Sequence, residues 1–302
     1  MRVVGIDIGG TMIKYGLLSL EGQILKSGEM ATEAEKGVEI LFEKICSVVE
    51  NFSREEKILG IAVSGTGQID GSIGKVVGGN EIIPGWIGTN LVERLEKKFN
   101  LPAVLENDVN CAALGEKWLG AGKGEDNFLC LTIGTGIGGG IVLNGDVFRG
   151  NTCVAGEFGH IQIVKNGVQC LCGKKGCYER YASATALVRM AKERTGEDLN
   201  GKEIFDREKA GIPVFTELVK DWVDYFTDGL STIIYIFNPP LIVVGGGVTK
   251  QGDYLLEKIN KSLSEKLGIN FKKNLSVKFA ELGNNAGMFG AEYLLLKKLG
   301  KI

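Results

Sequence analysis

Residues 2–20 read RVVGIDIGGTMIKYGLLSL, and residues 128–149 read FLCLTIGTGIGGGIVLNGDVFR. Each stretch begins as an apolar run typical of a buried strand and breaks at a glycine turn that carries a threonine, Gly9-Gly10-Thr11 in one and Gly134-Thr135-Gly136 in the other. Each then returns as a second strand and turns once more, at Glu21-Gly22 and at Asn144-Gly145, the latter a strong two-residue hairpin signal. The strand, glycine turn and hairpin therefore occur twice. This weak internal repeat predicts two halves of like design.

Outward from these stretches, strand and helix patterns alternate. Leu41, Phe42, Ile45, Val48 and Phe52 fall at helical spacing, and residues 59–64 (LGIAVS) form a buried strand. A helix through Leu91, Leu95 and Phe99 precedes a strand at 102–105. Glu106-Asn107-Asp108 then stands at the mouth of a helix containing Ala112, Ala113, Leu114 and Trp118. The second half continues with a long helix over 214–237 and a strand over 241–244 that ends in Gly245-Gly246-Gly247. A helix over 254–267, a strand near Val277 and a closing helix from Ala286 complete it. The pattern predicts an α/β protein. No Pro- or Ser-rich linker separates the halves, so they are expected to pack closely around a ligand-binding cleft.

Composition narrows the function. The 302 residues carry 35 Lys+Arg against 37 Asp+Glu, a net charge of −2, which leaves no basic footprint for a nucleic-acid backbone. No apolar run approaches the roughly 18 residues of a membrane span, and the start is too short for a signal peptide, so a cytoplasmic protein is expected. The 45 glycines are about twice the ~7% average usage and imply many turns of positive φ and close backbone approach. Seven cysteines, an odd number, favour a metal site plus buried free thiols over a disulfide framework.

The run Gly134 to Gly139 fits GxGxxG, but a dinucleotide fingerprint must open a helix, and here a hairpin follows. No P-loop sequence is present. Two hairpin turns with Thr11 and Thr135 can instead offer N–H groups and hydroxyls to a polyphosphate. Asp7, at the end of the first strand, either makes an Asx turn or holds Mg²⁺ through water; the metal is preferred, because a lone charge between Ile6 and Ile8 is costly to bury.

The single histidine, His160, is followed by Cys170, Cys172 and Cys177 amid Gly and Lys. This is the ligand set of a tetrahedral structural zinc site. Cys46, Cys111 and Cys130 sit in apolar contexts and read as core, while Cys153 fits either reading. Four protein ligands leave no open position on the metal, whose role would be to fix the loop carrying Glu157, His160 and Glu179.

DIGGT (7–11), END (106–108), GTGIGGG (134–140), AGEFGH (155–160), CxCGxxGCxE (170–179) and VGGG (244–247), in this order, resemble the ROK family of sugar kinases and sugar-responsive repressors. The resemblance covers nearly the whole chain. It implies a two-domain actin-like or hexokinase-like (ribonuclease H-like) α/β fold with an inter-domain cleft, residues 1–117 with 287–302 forming the smaller domain and 118–286 the larger. It also implies ATP, Mg²⁺, Zn²⁺ and phosphorylation of a hexose at its 6-hydroxyl. Carried over by motif, Asp108 is the catalytic base. Gly65, Asn80, Asn107, Glu157, His160 and Glu179 contact the sugar. Asp7, Gly9, Gly10, Thr11, Lys14, Gly134, Thr135 and Gly136 serve the phosphates, and Gly245, Gly246 and Gly247 the adenosine. A homodimer or tetramer is implied as well.

Asp108 precedes a helix, where Asp is a common N-cap, and the helix end and Mg²⁺ are expected to lower its pKa. The family's Asn-Leu-Pro-Gly-Trp element appears here lengthened, from Asn80 to Trp86. The opening and the END run also resemble β-glucoside kinases. Glu157, His160 and the cysteine knuckle tilt the reading toward glucose, with N-acetylmannosamine, fructose, mannose or a β-glucoside as alternatives. A sugar-sensing repressor would carry a helix-turn-helix ahead of the first glycine turn, and Asp7 leaves no room for one. A filament-forming ATPase of the same fold is disfavoured by the sugar-binding constellation.

Overall fold

The computed structural model describes residues 1–79 and 81–302. Its strands are β1 (Arg2–Ile8), β2 (Met12–Leu18), β3 (Ile24–Ala31), β4 (Ile58–Gly65), β5 (Gln68–Asp70), β6 (Lys75–Gly78), β7 (Ala103–Asn107), β8 (Phe128–Ile133), β9 (Ile137–Leu143), β10 (Asp146–Val147), β11 (Leu241–Gly245) and β12 (Ser276–Phe279). The helices are α1 (Gly37–Glu55), α2 (Leu91–Phe99), α3 (Asp108–Leu119), α4 (Glu179–Ala182), α5 (Ala184–Thr195), α6 (Gly201–Lys209), α7 (Pro213–Phe237), α8 (Asp253–Lys266), α9 (Ile269–Lys272) and α10 (Ala286–Lys298).

The internal repeat is visible in the topology. One sheet has the order β3-β2-β1-β4-β7 and the other β10-β9-β8-β11-β12, so each has a three-strand meander on one side and two later strands on the other. β4 and β7 run parallel to β1, as β11 and β12 run parallel to β8. Asn144 (φ 53°) and Gly145 (φ 78°) both take the left-handed conformation that a type I′ hairpin requires. The GxGxxG run leads into β9 and not into a helix, as its hairpin context predicted.

The chain divides into two compact units, Met1–Asp126 with Ile141–Ala155 and Leu282–Ile302, and Asn127–Gly140 with Gly156–Glu281. In the first, alternation along β1 sends Val4, Ile6 and Ile8 to one face, where Leu41 and Ile45 of α1 and Leu91 and Leu95 of α2 cover them. Val3 points to the other face, against Leu18, Cys111 of α3 and Met288, Phe289 and Leu295 of α10. Asp7 continues this second series. A Cβ on Gly287 would come within 2.9 Å of Asp7 Oδ1, so this glycine lets the first turn of α10 lie over the carboxylate. In the second unit, α7 starts with Pro213 at its first turn and is anchored by Trp222 and Phe226, stacked at 6.1 Å. Among the described residues, no helix is long and apolar enough to cross a membrane.

Helices α3 and α10 meet backbone to backbone. A Cβ on Gly290 would stand 1.7 Å from the Cys111 carbonyl oxygen, and one on Gly115 2.4 Å from that of Ala286. Gly290→Ala must push the two helices apart and should cost about 1–3 kcal/mol or more, read as a lower midpoint in urea unfolding. A wild-type midpoint would contradict this packing.

Candidate functional site

The parallel strands of the first unit bring their C-terminal ends into register, Asp7 beside Ser64 and Ser64 beside Glu106, with Gly65 beside Asn107. Ligand sites in α/β sheets gather at such ends. Ser64 Oγ donates to Asp7 Oδ1 at 2.7 Å. Burial raises the pKa of Asp7, opposed by the Ser64 hydrogen bond and by the charge of Lys14, its partner across β2.

Asp108 follows at the first position of α3. Its Oδ1 accepts from Val109 N and Asn107 Nδ2, each at 2.9 Å. The residue keeps some surface, yet burial of the carboxyl, and then the charge of Asp7, push its pKa up to about 6. This corrects the expected direction. The helix end does lower the pKa through the Val109 N–H, but loss of water and a like charge outweigh it. The cap assignment changes too. Asn107, not Asp108, is the N-cap of α3, its Oδ1 accepting from Val109 N and Asn110 N at 2.9 and 3.2 Å. Asn107 Nδ2 also donates to Gly67 O at 2.9 Å, so this side chain is held inside the protein.

The turn at Gly9, Gly10 and Thr11 is latched by Thr32, whose N donates to Thr11 O at 2.8 Å and whose Oγ1 donates to Gly9 O at 2.7 Å. Gly10 and Thr11 stay exposed. Trp86 of the lengthened loop donates through Nε1 to Thr66 O at 2.9 Å and lies near Gly65. Asn80 lies outside the described residues.

In the second unit, His160, Cys170, Cys172 and Cys177 offer ligand atoms that all lie within 4.8 Å of one another. Cys172 Sγ and Cys177 Sγ are 3.5 Å apart, and Cys170 Sγ is 3.7 Å from His160 Nδ1. This spacing suits one tetrahedral ion with sulfur at about 2.3 Å. The other ring nitrogen, Nε2, faces Glu157 at 3.9 Å, and Glu179 Oε1 lies 3.8 Å from Nδ1 and accepts from Cys170 Sγ at 3.1 Å. Glu157, His160 and Glu179 are thus gathered around the cysteine loop.

Glycine makes this gathering possible. A Cβ on Gly139 would be 2.4 Å from Gly156 O and one on Gly159 2.3 Å from Ile137 O, so residues 156–160 lie directly on the backbone of β9. A Cβ on Gly136 would strike Glu179 Oε2 at 2.4 Å. Gly136, read as part of a phosphate turn, therefore also seats the Glu179 carboxylate. Gly246 (φ 108°) packs on Ile133 O, and Gly245 pairs with Thr132, so the 134–136 and 245–247 turns are neighbours. Gly134, Thr135, Gly246 and Gly247 are exposed.

Cys46, Cys111 and Cys130 are buried, as read. Cys153, left open by the sequence, interacts with Asp70. The sequence reading assigned no role to Ser64, Glu106, Asn110 or Arg149. Glu106 was in view within the END run, and its full burial is the property that sequence does not reveal.

The family profile described as "ROK family" matches residues 3–298. A glucokinase of Streptomyces coelicolor is 36% identical over 306 residues, covering 95% of each chain. A β-glucoside kinase of Listeria monocytogenes is also 36% identical, over 99% of this chain and 98% of its own. The crystal structure of a ROK family glucokinase from Streptomyces griseus in complex with glucose and AMPPNP superposes with a TM-score of 0.84 at 34% identity, covering 98% of this chain and 100% of that one.

The Asp108 carboxyl should titrate near pH 6 by ¹³C NMR, and Asp7→Asn, which removes the like charge, should move that midpoint downward. A midpoint in the ordinary carboxylate range in the wild type would refute the electrostatics described.

Proposed function

Since the chain belongs to the ROK family, we propose that it is an ATP-dependent hexose kinase that phosphorylates the 6-hydroxyl, with glucose as its substrate. The observation that carries this is Asp108. Its carboxyl is oriented by Asn107 and held near pH 6, where it is ionised at neutral pH yet basic enough to take a hydroxyl proton. As the sugar oxygen bonds to the γ-phosphorus and the bond to the ADP oxygen breaks, the hydroxyl proton passes to Asp108. Transfer of this kind is largely dissociative, so orienting the hydroxyl matters more than base strength.

Glu157, His160 and Glu179 are assigned to the ring hydroxyls, with Asn107 and Gly65 framing the base. Gly9, Gly10, Thr11, Lys14, Gly134, Thr135 and Gly136 are assigned to the phosphates and Gly245 to Gly247 to the adenosine; the exposure of both turns supports this. Mg²⁺ would neutralise phosphate charge, and the donor set of Asp7 fits it, because a cation relieves the mutual repulsion of Asp7 and Asp108. His160, Cys170, Cys172 and Cys177 would hold Zn²⁺, leaving it no open position, so that it serves to fix the loop. A homodimer or tetramer is proposed from the family resemblance alone.

ADP release should be strong with glucose in a panel of mannose, fructose, N-acetylglucosamine, N-acetylmannosamine and cellobiose. Turnover with cellobiose alone would favour the β-glucoside reading, which the Listeria relative supports. Asp108→Asn should lower turnover about 10²- to 10⁴-fold while sugar binding stays measurable, and near-normal turnover would sink the assignment. With Asp108 as base, kcat/KM should fall tenfold per pH unit below about 6. Metal analysis should find one zinc per chain, and Cys172→Ser should weaken its retention at least about tenfold.

A further inference from the structure

Glu106 has no exposed surface, and its two oxygens are fully engaged. Oε2 accepts from Arg149 Nε at 2.7 Å, while Oε1 accepts from Asn107 N at 3.0 Å and from Asn110 Nδ2 at 3.1 Å. Asn107 then holds Asp108 Oδ1 through Nδ2 and caps α3 through Oδ1. The hydrogen bonds thus run without a break from Arg149, through Glu106 and Asn107, to Asp108. Gly71 seals this arrangement, since a Cβ there would meet Glu106 Oε2 at 2.3 Å and Arg149 Nε at 3.2 Å.

We infer that Arg149 is a positioning residue for phosphoryl transfer, acting through Glu106 to hold Asn107 and Asp108 in the reactive arrangement. The inference rests on the reading of Asp108 as the base. Arg149 lies beyond β10, 43 residues from Glu106, and is partly exposed, so it has no part in the END corner except through this ion pair. Its charge matters as well as its bond. A buried carboxylate that loses its cation is costly, and here it would lie two residues from Asp108. Among the described residues, the titratable groups that act on the network are Asp7 on β1, Asp70 on β5, Cys111 on α3, Asp146 on β10 and Cys153, with Lys14 on β2 acting on Asp7. Burial works against the Arg149 charge, and Glu106 and Asp146 hold it in place.

The test compares Arg149→Met, Arg149→Lys, the double variant Glu106→Gln with Arg149→Met, and Asp108→Asn, each checked for folding by thermal unfolding. Arg149→Met should lower kcat about 10- to 100-fold with the KM for ATP nearly unchanged, and should raise the acid limb of kcat/KM by about one pH unit. Arg149→Lys restores the charge without the Nε geometry, so the limb should return while kcat recovers in part. The double variant should also bring the limb back, because the uncompensated carboxylate is gone and the side-chain amide oxygen in its place can still accept from Asn107 N. A purely structural role would lower stability and leave the limb in place in every Arg149 variant. That outcome, or an Arg149→Met limb unchanged while Asp108→Asn is inactive, overturns the inference and leaves the kinase reading intact. Turnover retained by Asp108→Asn overturns the base assignment and this inference together.

Discussion

The Glu106 carboxylate, fully buried at the end of β7, is held between Arg149 Nε and the amides of Asn107 and Asn110. It stands in register with Ser64, and Ser64 with Asp7, so three carboxyl groups, Asp7, Glu106 and Asp108, meet at the ends of adjacent parallel strands. Each bears its charge differently. Glu106 is paired with Arg149, Asp7 is raised by burial but eased in part by Ser64 and Lys14, and Asp108 is raised by burial and by the charge of Asp7. In the proposed reaction this division suits Asp108 to act as a base at neutral pH, because burial and the charge of Asp7 raise its pKa while the Val109 and Asn107 hydrogen bonds keep the rise moderate.

The high glycine content has a structural reason that differs between the two units. Around α3 and α10, Gly115, Gly287 and Gly290 let helix backbones approach each other and the Asp7 carboxylate. Around β9, Gly136, Gly139 and Gly159 let the turn carrying Glu157 and His160, and the Glu179 carboxylate, press against a strand. In both places a methyl group would displace a carboxylate assigned to the proposed reaction or the element that bears it, so packing and the proposed chemistry impose the same restriction.

The architecture was legible because its signals are local. Each glycine turn, with the hairpin turn after it, lies within a few residues of the apolar runs it joins, and the three-strand meander in each sheet follows from these signals. The cysteine knuckle was legible for the same reason, since Cys170, Cys172 and Cys177 are close in sequence and His160 is the single histidine. What escaped depends on distance and on water. The Glu106–Arg149 pair spans 43 residues and forms only through the tertiary fold. The pKa of Asp108 was expected to fall because the helix end is visible in the sequence, whereas burial and the approach of Asp7 from β1 are not. Asn107 and not Asp108 is the cap because Asp108 is already the first residue of α3, one position earlier than the sequence suggested.

In the proposed reaction, the proton leaving the 6-hydroxyl is matched by a new bond from that oxygen to phosphorus. The most direct measurement is a phosphorus–proton correlation NMR spectrum of the product formed from glucose and ATP. Transfer to the 6-hydroxyl predicts a phosphomonoester resonance coupled to the two C6 methylene protons. Coupling to a ring-carbon proton, or inorganic phosphate as the sole new signal, would contradict it.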